Sequence, residues 1–134
     1  MTLRLRAPAK TNLFLEVLRR REDGFHELDT VFAELDLADE LEFELSSRPG
    51  IELTIEGDPG LSAGPENLVI RAGEGLRAGL GARGQELGAR ILLRKRIPQG
   101  GGLGGGSSDA AAALRGLDEL WGLATAPPEL ARQA

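Results

Sequence analysis

Between Pro98 and Ala111 the chain reads PQGGGLGGGSSDAA, with glycine at six of the seven positions from 100 to 106. This run most constrains what the chain can build. It lies between an alternating apolar stretch, Ala89, Ile91 and Leu93, and an alanine-rich stretch with apolar positions Leu114, Leu117, Leu120 and Trp121. The first predicts a strand closing at Pro98, the second a helix over 107–123. A glycine run between a strand and a helix strips away side chains where backbone N–H groups and the first helical turn can converge. Such a concavity, with the helix dipole behind it, suits an anion, and phosphate is the obvious guest. Ser107 and Ser108 follow the glycines and offer hydroxyls for a cap, a phosphate oxygen or a Mg²⁺ ion.

Two common phosphate motifs do not account for the run. The ATPase loop needs Gly-Lys-Ser/Thr, and here Gly106 is followed directly by Ser107. The dinucleotide pattern GxGxxG fits Gly100, Gly102 and Gly105, with Asp118 downstream, but almost any glycine-rich run fits it. A dinucleotide fold also opens on a strand, glycine turn and helix, whereas this chain opens on strands. A flexible linker is the remaining alternative, and it rarely separates a tight strand from a strong helix.

The rest of the chain reads as an α+β domain. Leu3 and Leu5, then Leu13, Leu15 and Val17, predict two short strands broken at Ala7-Pro8-Ala9. Residues 19–25 read as a charged turn, and 26–37 are ambiguous. Leu41, Phe43 and Leu45 alternate, as do Ile51, Leu53 and Ile55, and Pro49-Gly50 between them predicts a hairpin. Residues 57–66 read as a loop. From Asn67, the residues Leu68, Val69, Ala72, Leu76 and Leu80 share one helical face. Thr125-Ala-Pro-Pro-Glu-Leu looks like the start of a further helix, which reads as a fragment of something longer.

Composition narrows the function. At 134 residues there is room for one domain. The chain has no cysteine and one histidine, which excludes disulfides, thiolate zinc sites, cysteine nucleophiles and His-rich metal centres. Its net charge of −5 lacks the footprint of a nucleic-acid binder or an anionic-membrane anchor. No signal peptide or apolar span is read, so the expected compartment is the cytoplasm. Among 16 basic residues only Lys10 and Lys95 are lysines. Where the chain wants a generic positive charge it uses arginine, so these two suit tasks that need a compact ammonium. Alternation places Lys95 on the face opposite Arg94 and Arg96. Asp109, in the first turn of the helix, reads as dipole complementarity and capping, with a metal role as the alternative.

The run PQGGGLGGGSSDAA resembles the phosphate loop of the GHMP kinases. Ala7-Pro-Ala-Lys-Thr-Asn-Leu-Phe-Leu15 and Asp23-Gly-Phe-His-Glu-Leu28 resemble two further motifs of one branch. That branch phosphorylates the 2-hydroxyl of a diphosphocytidyl-linked methylerythritol in non-mevalonate isoprenoid precursor synthesis. The resemblance implies a transferase that uses ATP and Mg²⁺ on a small cytidine-diphosphate substrate, with no nucleic-acid or membrane partner, as a monomer or homodimer. It implies residues 1–134 as the N-terminal GHMP domain, a ribosomal-protein-type two-layer β/α sandwich. A left-handed βαβ crossover around the glycine loop and an absent C-terminal domain are also implied.

The resemblance further implies roles for individual residues. Lys10 sits beside the reacting hydroxyl, and Asn12 binds substrate. Phe25 stacks on the cytosine and His26 pairs with its edge; the branch often carries Tyr at position 25, so the hydroxyl is lost here. Asn67, Leu68 and Val69 border the adenine and Lys95 reaches the nucleotide. Pro98, Gly100, Gly101, Gly102, Leu103, Gly104, Gly105, Gly106, Ser107 and Ser108 form the ATP loop. The family's general base, an aspartate in a Gly-Ala-Asp-Val-Pro-like segment, has no counterpart in these residues, so slow or absent turnover is the expectation for the chain alone. Alternatives are another GHMP small-molecule kinase, a catalytically incomplete nucleotide-binding domain, and an RNA-associated domain of similar topology.

Overall fold

The computed structural model describes residues 2–20, 26–98 and 105–123, and within 10–20 and 26–36 it describes the backbone alone. Among the described residues, four strands form one sheet: β1 Thr2–Arg20, β2 His26–Leu45, β3 Gly50–Glu56 and β4 Gly88–Arg94. Three helices of the described residues accompany it: α1 Leu68–Gly79, α2 Ala82–Glu86 and α3 Gly105–Trp121. The sheet order is β1-β2-β4-β3. β2 runs antiparallel to both β1 and β4, and β3 runs parallel to β4.

Period-two alternation sorts the sheet into two faces. Leu41, Phe43, Ile91 and Leu93 point inward and join one core with Val69, Ala72 and Leu76 of α1 and Ala113, Leu114, Leu117 and Trp121 of α3. The opposite face is a lattice of charges: Arg94 reaches Glu40 at 2.8 Å, Glu42 at 3.2 Å and Glu56 at 3.4 Å, and Arg4 reaches Glu42 at 2.7 Å. These carboxylates hold the Arg94 guanidinium above its ordinary pKa, through the Glu42 hydrogen bond first. The α+β two-layer expectation holds. The parallel crossover here is β3–α1–α2–β4, and the glycine run follows its second strand.

Three local expectations are corrected. The N-terminal segment is one strand, not two. β1 lies at the end of the strand order, where Pro8 removes an N–H that a central strand would need, and the break shrinks to a register shift between Pro8 and Lys10. The hairpin across Pro49-Gly50 does not form, because β4 lies between β2 and β3. The connection instead crosses over the end of β4, with Ser46 N donating to Gly88 O and Gly50 N to Leu87 O. A Cβ at residue 88 would overlap the carbonyl of Arg48, so glycine starts β4. Leu68, expected on the buried face of α1, is 44% exposed. Ile70 and Gly73 complete that face with Val69, Ala72 and Leu76.

Asn67 explains where α1 begins. Its Oδ1 accepts from Val69 N at 2.8 Å, and its Nδ2 donates to Ser62 O at 2.8 Å. α3 starts at Gly105, two residues before the expected Ser107, and ends at Trp121. Gly122 has φ of 64° there, and Leu123 N reaches back to Asp118 O at 3.0 Å, which closes the last turn. The turn at 21–25 and the further helix after Thr125 lie outside the described residues.

Candidate functional site

β4 ends at Arg94, the described chain runs on to Pro98, and it resumes at Gly105, already in α3. The returning end is tightly packed. A Cβ at Gly105 would come within 2.8 Å of Ile97 Cγ2 and 3.4 Å of Lys95 Nζ. A Cβ at Gly106 would come within 3.1 Å of Leu68 Cδ1. The first turn of α3 is therefore wedged between the strand exit and the first residue of α1. Glycine at 105 is a packing requirement as well as a means of exposing backbone.

Two other elements converge here. Ser108 Oγ donates to Pro8 O at 2.8 Å, which ties α3 to β1. Lys10 lies two residues further along that strand, roughly 7 Å of extended backbone. The backbone of Lys10 pairs with Glu34 and that of Asn12 with Phe32. Their side chains, and that of His26, lie outside the described residues, as do Phe25, Gly100, Gly101, Gly102, Leu103 and Gly104 entirely.

Under the wedge lies a buried charged group. Lys95 Nζ donates to Asp39 Oδ2 at 2.6 Å and to Asp109 Oδ2 at 3.0 Å. Asp39 Oδ1 accepts from the backbone N–H of Arg96 at 2.6 Å and of Ile97 at 2.9 Å. All three side chains are almost fully buried. Burial pushes the Asp109 carboxyl up to about 8, and its hydrogen bond to Asp39 adds to the rise, with Lys95 opposing. Burial would also raise Asp39, but hydrogen bonds from Asp109, Ile97, Lys95 and Arg96 hold it below its ordinary value. Burial alone would lower Lys95, and its two carboxylate partners raise it instead. Asp109 Oδ1 has no donor of its own among the described residues, as expected of a carboxyl that carries a proton beside another carboxylate.

Lys95 was expected to reach a nucleotide; its ammonium is turned inward, onto two carboxylates. Asp109 was expected to cap the helix; it is buried and pairs with Lys95 instead. The inward direction follows from the alternation Ile91, Leu93, Lys95. Asp39 was missed. Its signal was available, because it stands in phase with Leu41 and Phe43 and so had to face the core.

The remaining expected residues divide. Leu68, Gly105, Gly106 and Ser108 meet at the wedge, with Ser107 exposed beside them. Asn67 is the N-cap of α1, and its amide and carbonyl are both in use. Val69 belongs to the core. Pro98 is exposed at the strand exit.

Residues 67–134 match the family model described as the GHMP kinases N terminal domain. The chain belongs to the GHMP kinase family. A GHMP relative from Synechococcus sp. (strain CC9605), named 4-diphosphocytidyl-2-C-methyl-D-erythritol kinase, is 53% identical over 96% of this chain and 41% of its own length. A crystal structure of 4-(cytidine 5'-diphospho)-2C-methyl-D-erythritol kinase is 48% identical, with a TM-score of 0.68 over 97% of this chain and 45% of that one. Homoserine kinase from Cytophaga hutchinsonii is 26% identical, with a TM-score of 0.75 over 98% of this chain and 39% of that one. This GHMP chain thus spans less than half the length of these relatives.

Proposed function

We propose that the chain is the ATP- and substrate-binding part, residues 1–134, of a 4-diphosphocytidyl-2-C-methyl-D-erythritol kinase. The reaction transfers the γ-phosphoryl of ATP to the 2-hydroxyl of the methylerythritol unit, releases ADP, and serves isoprenoid precursor biosynthesis in the cytoplasm. Identity of 53% across nearly the whole chain to a relative of that name carries the reading. The convergence of β1, α1 and α3 around the end of the glycine run supports it.

Phosphoryl transfer depends mostly on positioning and on stabilising charge. The amides of Gly100–Gly106 and the open N-terminus of α3 hold the ATP phosphates. Leu68, exposed and against Gly106, offers an apolar surface to the adenine, with Asn67 and Val69 shaping the backbone behind it. Lys10, a short step along β1 from the Pro8–Ser108 contact, stands by the attacking oxygen and favours its loss of a proton. Asn12 orients the polyol; Phe25 and His26 take the cytosine by stacking and by an edge hydrogen bond. Of the two serines, Ser108 is committed to Pro8, so exposed Ser107 is the hydroxyl that fits a Mg²⁺ held mainly by phosphate oxygens. That ion, when bound, neutralises charge on the transferring phosphoryl group.

The test is ADP release by the 134-residue chain with ATP, Mg²⁺ and the diphosphocytidyl substrate, beside Lys10→Ala. A general base contributes on the order of 10²–10⁴-fold. With the family's aspartate segment lacking from these residues, weak or absent turnover with retained ADP binding is expected. Fast turnover would place a base within these residues. Failure to bind ADP, read as no rise in Tm, would remove the nucleotide reading for this chain.

A further inference from the structure

The buried group of Asp39, Lys95 and Asp109 stands apart from every role assigned above. Lys95 is the first residue after β4, and Asp109 lies just past the first turn of α3. The chain between them contains the whole glycine run. The 3.0 Å contact from Lys95 Nζ to Asp109 Oδ2 therefore closes that run at its base. Asp39 fixes the outgoing side, since one of its oxygens holds the amides of Arg96 and Ile97 and the other holds Lys95. Ile97 in turn packs on Gly105, the first residue of the returning side. Both exits of the run are thus tied to one buried point contributed by a third segment, β2.

We propose that Asp39 and Asp109 are positioning residues for nucleotide-phosphate binding, acting through Lys95 to set the separation between the strand exit and the start of α3, so that the amides of residues 105–108 at the end of the glycine run are held for one anion. The proposal rests on the reading of that run as a nucleotide-phosphate loop. A lysine suits the post because a compact ammonium can serve two carboxylates on different elements, where a planar guanidinium would need a wider slot. The charge balance also fits. Asp39 as a carboxylate, Lys95 as an ammonium and Asp109 as a neutral acid sum to zero, so a phosphate arriving at the helix start meets no uncompensated buried anion. A neutral amide at 109 keeps that balance and the contact to Lys95, whereas alanine deletes the tie.

The experiment compares wild type, Asp109→Asn and Asp109→Ala at pH 7. Mg-ADP affinity is measured by calorimetry, and amide hydrogen exchange is measured on the nucleotide-free protein. Asp109→Asn is expected to bind within about twofold of wild type, and Asp109→Ala at least about tenfold more weakly. Exchange at residues 109–111, whose amides close the first turn of α3, is expected to accelerate in Asp109→Ala alone, with residues 114–121 of the same helix unchanged. Unaltered affinity in Asp109→Ala, or equal losses in both variants, would overturn the positioning role. So would acceleration spread evenly along α3, which marks general destabilisation. Wild type that takes up no ADP would remove the nucleotide reading and this role together; wild type that binds beside an unaffected Asp109→Ala removes this role alone.

Discussion

Replacing Asp109 by asparagine should change how stability depends on pH more than it changes stability at any single pH. In the unfolded chain an aspartate titrates near the usual 3.9. In the folded chain burial and the neighbouring Asp39 push Asp109 to about 8. Between those values the folded state binds one proton that the unfolded state does not, so stability falls as pH rises, by about 1.4 kcal/mol per unit. The other two members are silent there. Asp39, depressed, contributes fully above its unfolded value and loses its contribution only as pH falls through the lower folded one. Lys95, raised from 10.5, contributes fully below that value and loses its contribution as pH climbs through the higher folded one. An asparagine side chain in place of Asp109 would still accept from Lys95 and donate to Asp39, and it cannot ionise. From pH 5 to pH 7 the stability of wild type relative to Asp109→Asn should therefore drop by about 2–3 kcal/mol, on the order of 10 °C in Tm for a domain of this size. Urea melts at both pH values, followed by the fluorescence of Trp121, give the difference, and titrations common to both proteins cancel. Curves that stay parallel within about 0.5 kcal/mol would show that Asp109 is ionised in the fold, and the charge balance drawn for the buried group would be wrong.

Other substitutions probe the frame around the site. Asn67→Ala removes the acceptor of the Val69 N–H and the donor to Ser62 O, and should cost about 1 kcal/mol in a urea melt. Gly75 in α1 has open space where a Cβ would go, so Gly75→Ala should raise stability by about 0.5–1 kcal/mol. Gly73→Ala should not, since its Cβ would press within 2.9 Å of Ile51 and 3.1 Å of Leu117. Phe43→Ala empties the centre of the core and should cost about 3–5 kcal/mol, enough to bring the chain near unfolding at room temperature.

Much of this was legible in the sequence wherever the signal was local. The N-cap at Asn67, the alternation of β4 and the apolar stripe of α3 each follow from residues within a few positions of one another. The sheet order was not legible. Pro49-Gly50 between two alternating runs is a sound hairpin signal, yet strand partners are chosen by long-range packing, and β4 fits between β2 and β3 through contacts some 40 residues away. Pro8 misled in the opposite direction, because a proline breaks a ladder only where its N–H is needed. At the site, the phosphate-loop composition was plain, whereas Asp39, although in phase with Leu41 and Phe43, was passed over because its partners lie on other elements. Lys95 was found for its rarity, and its direction followed from alternation, but its partners came from two elements that no local pattern links.

The insertion of β4 between β2 and β3 has a consequence for how the chain is made. Synthesis proceeds from the N-terminus, so β2 and β3 emerge before the strand that must separate them. Until Gly88–Arg94 arrives, the two runs Leu41-Phe43 and Ile51-Leu53-Ile55 present unpaired edges across a gap one strand wide. The Gly50–Leu87 and Ser46–Gly88 bonds cannot form, because their acceptors do not yet exist. Only the β1–β2 pairing is available early, and the rest of the sheet must wait for a non-local closure, which slows folding. During that interval a β4 from a second copy would fit the same slot, so strand exchange between nascent chains is the misassembly this topology invites, and crowded translation is where it would be found.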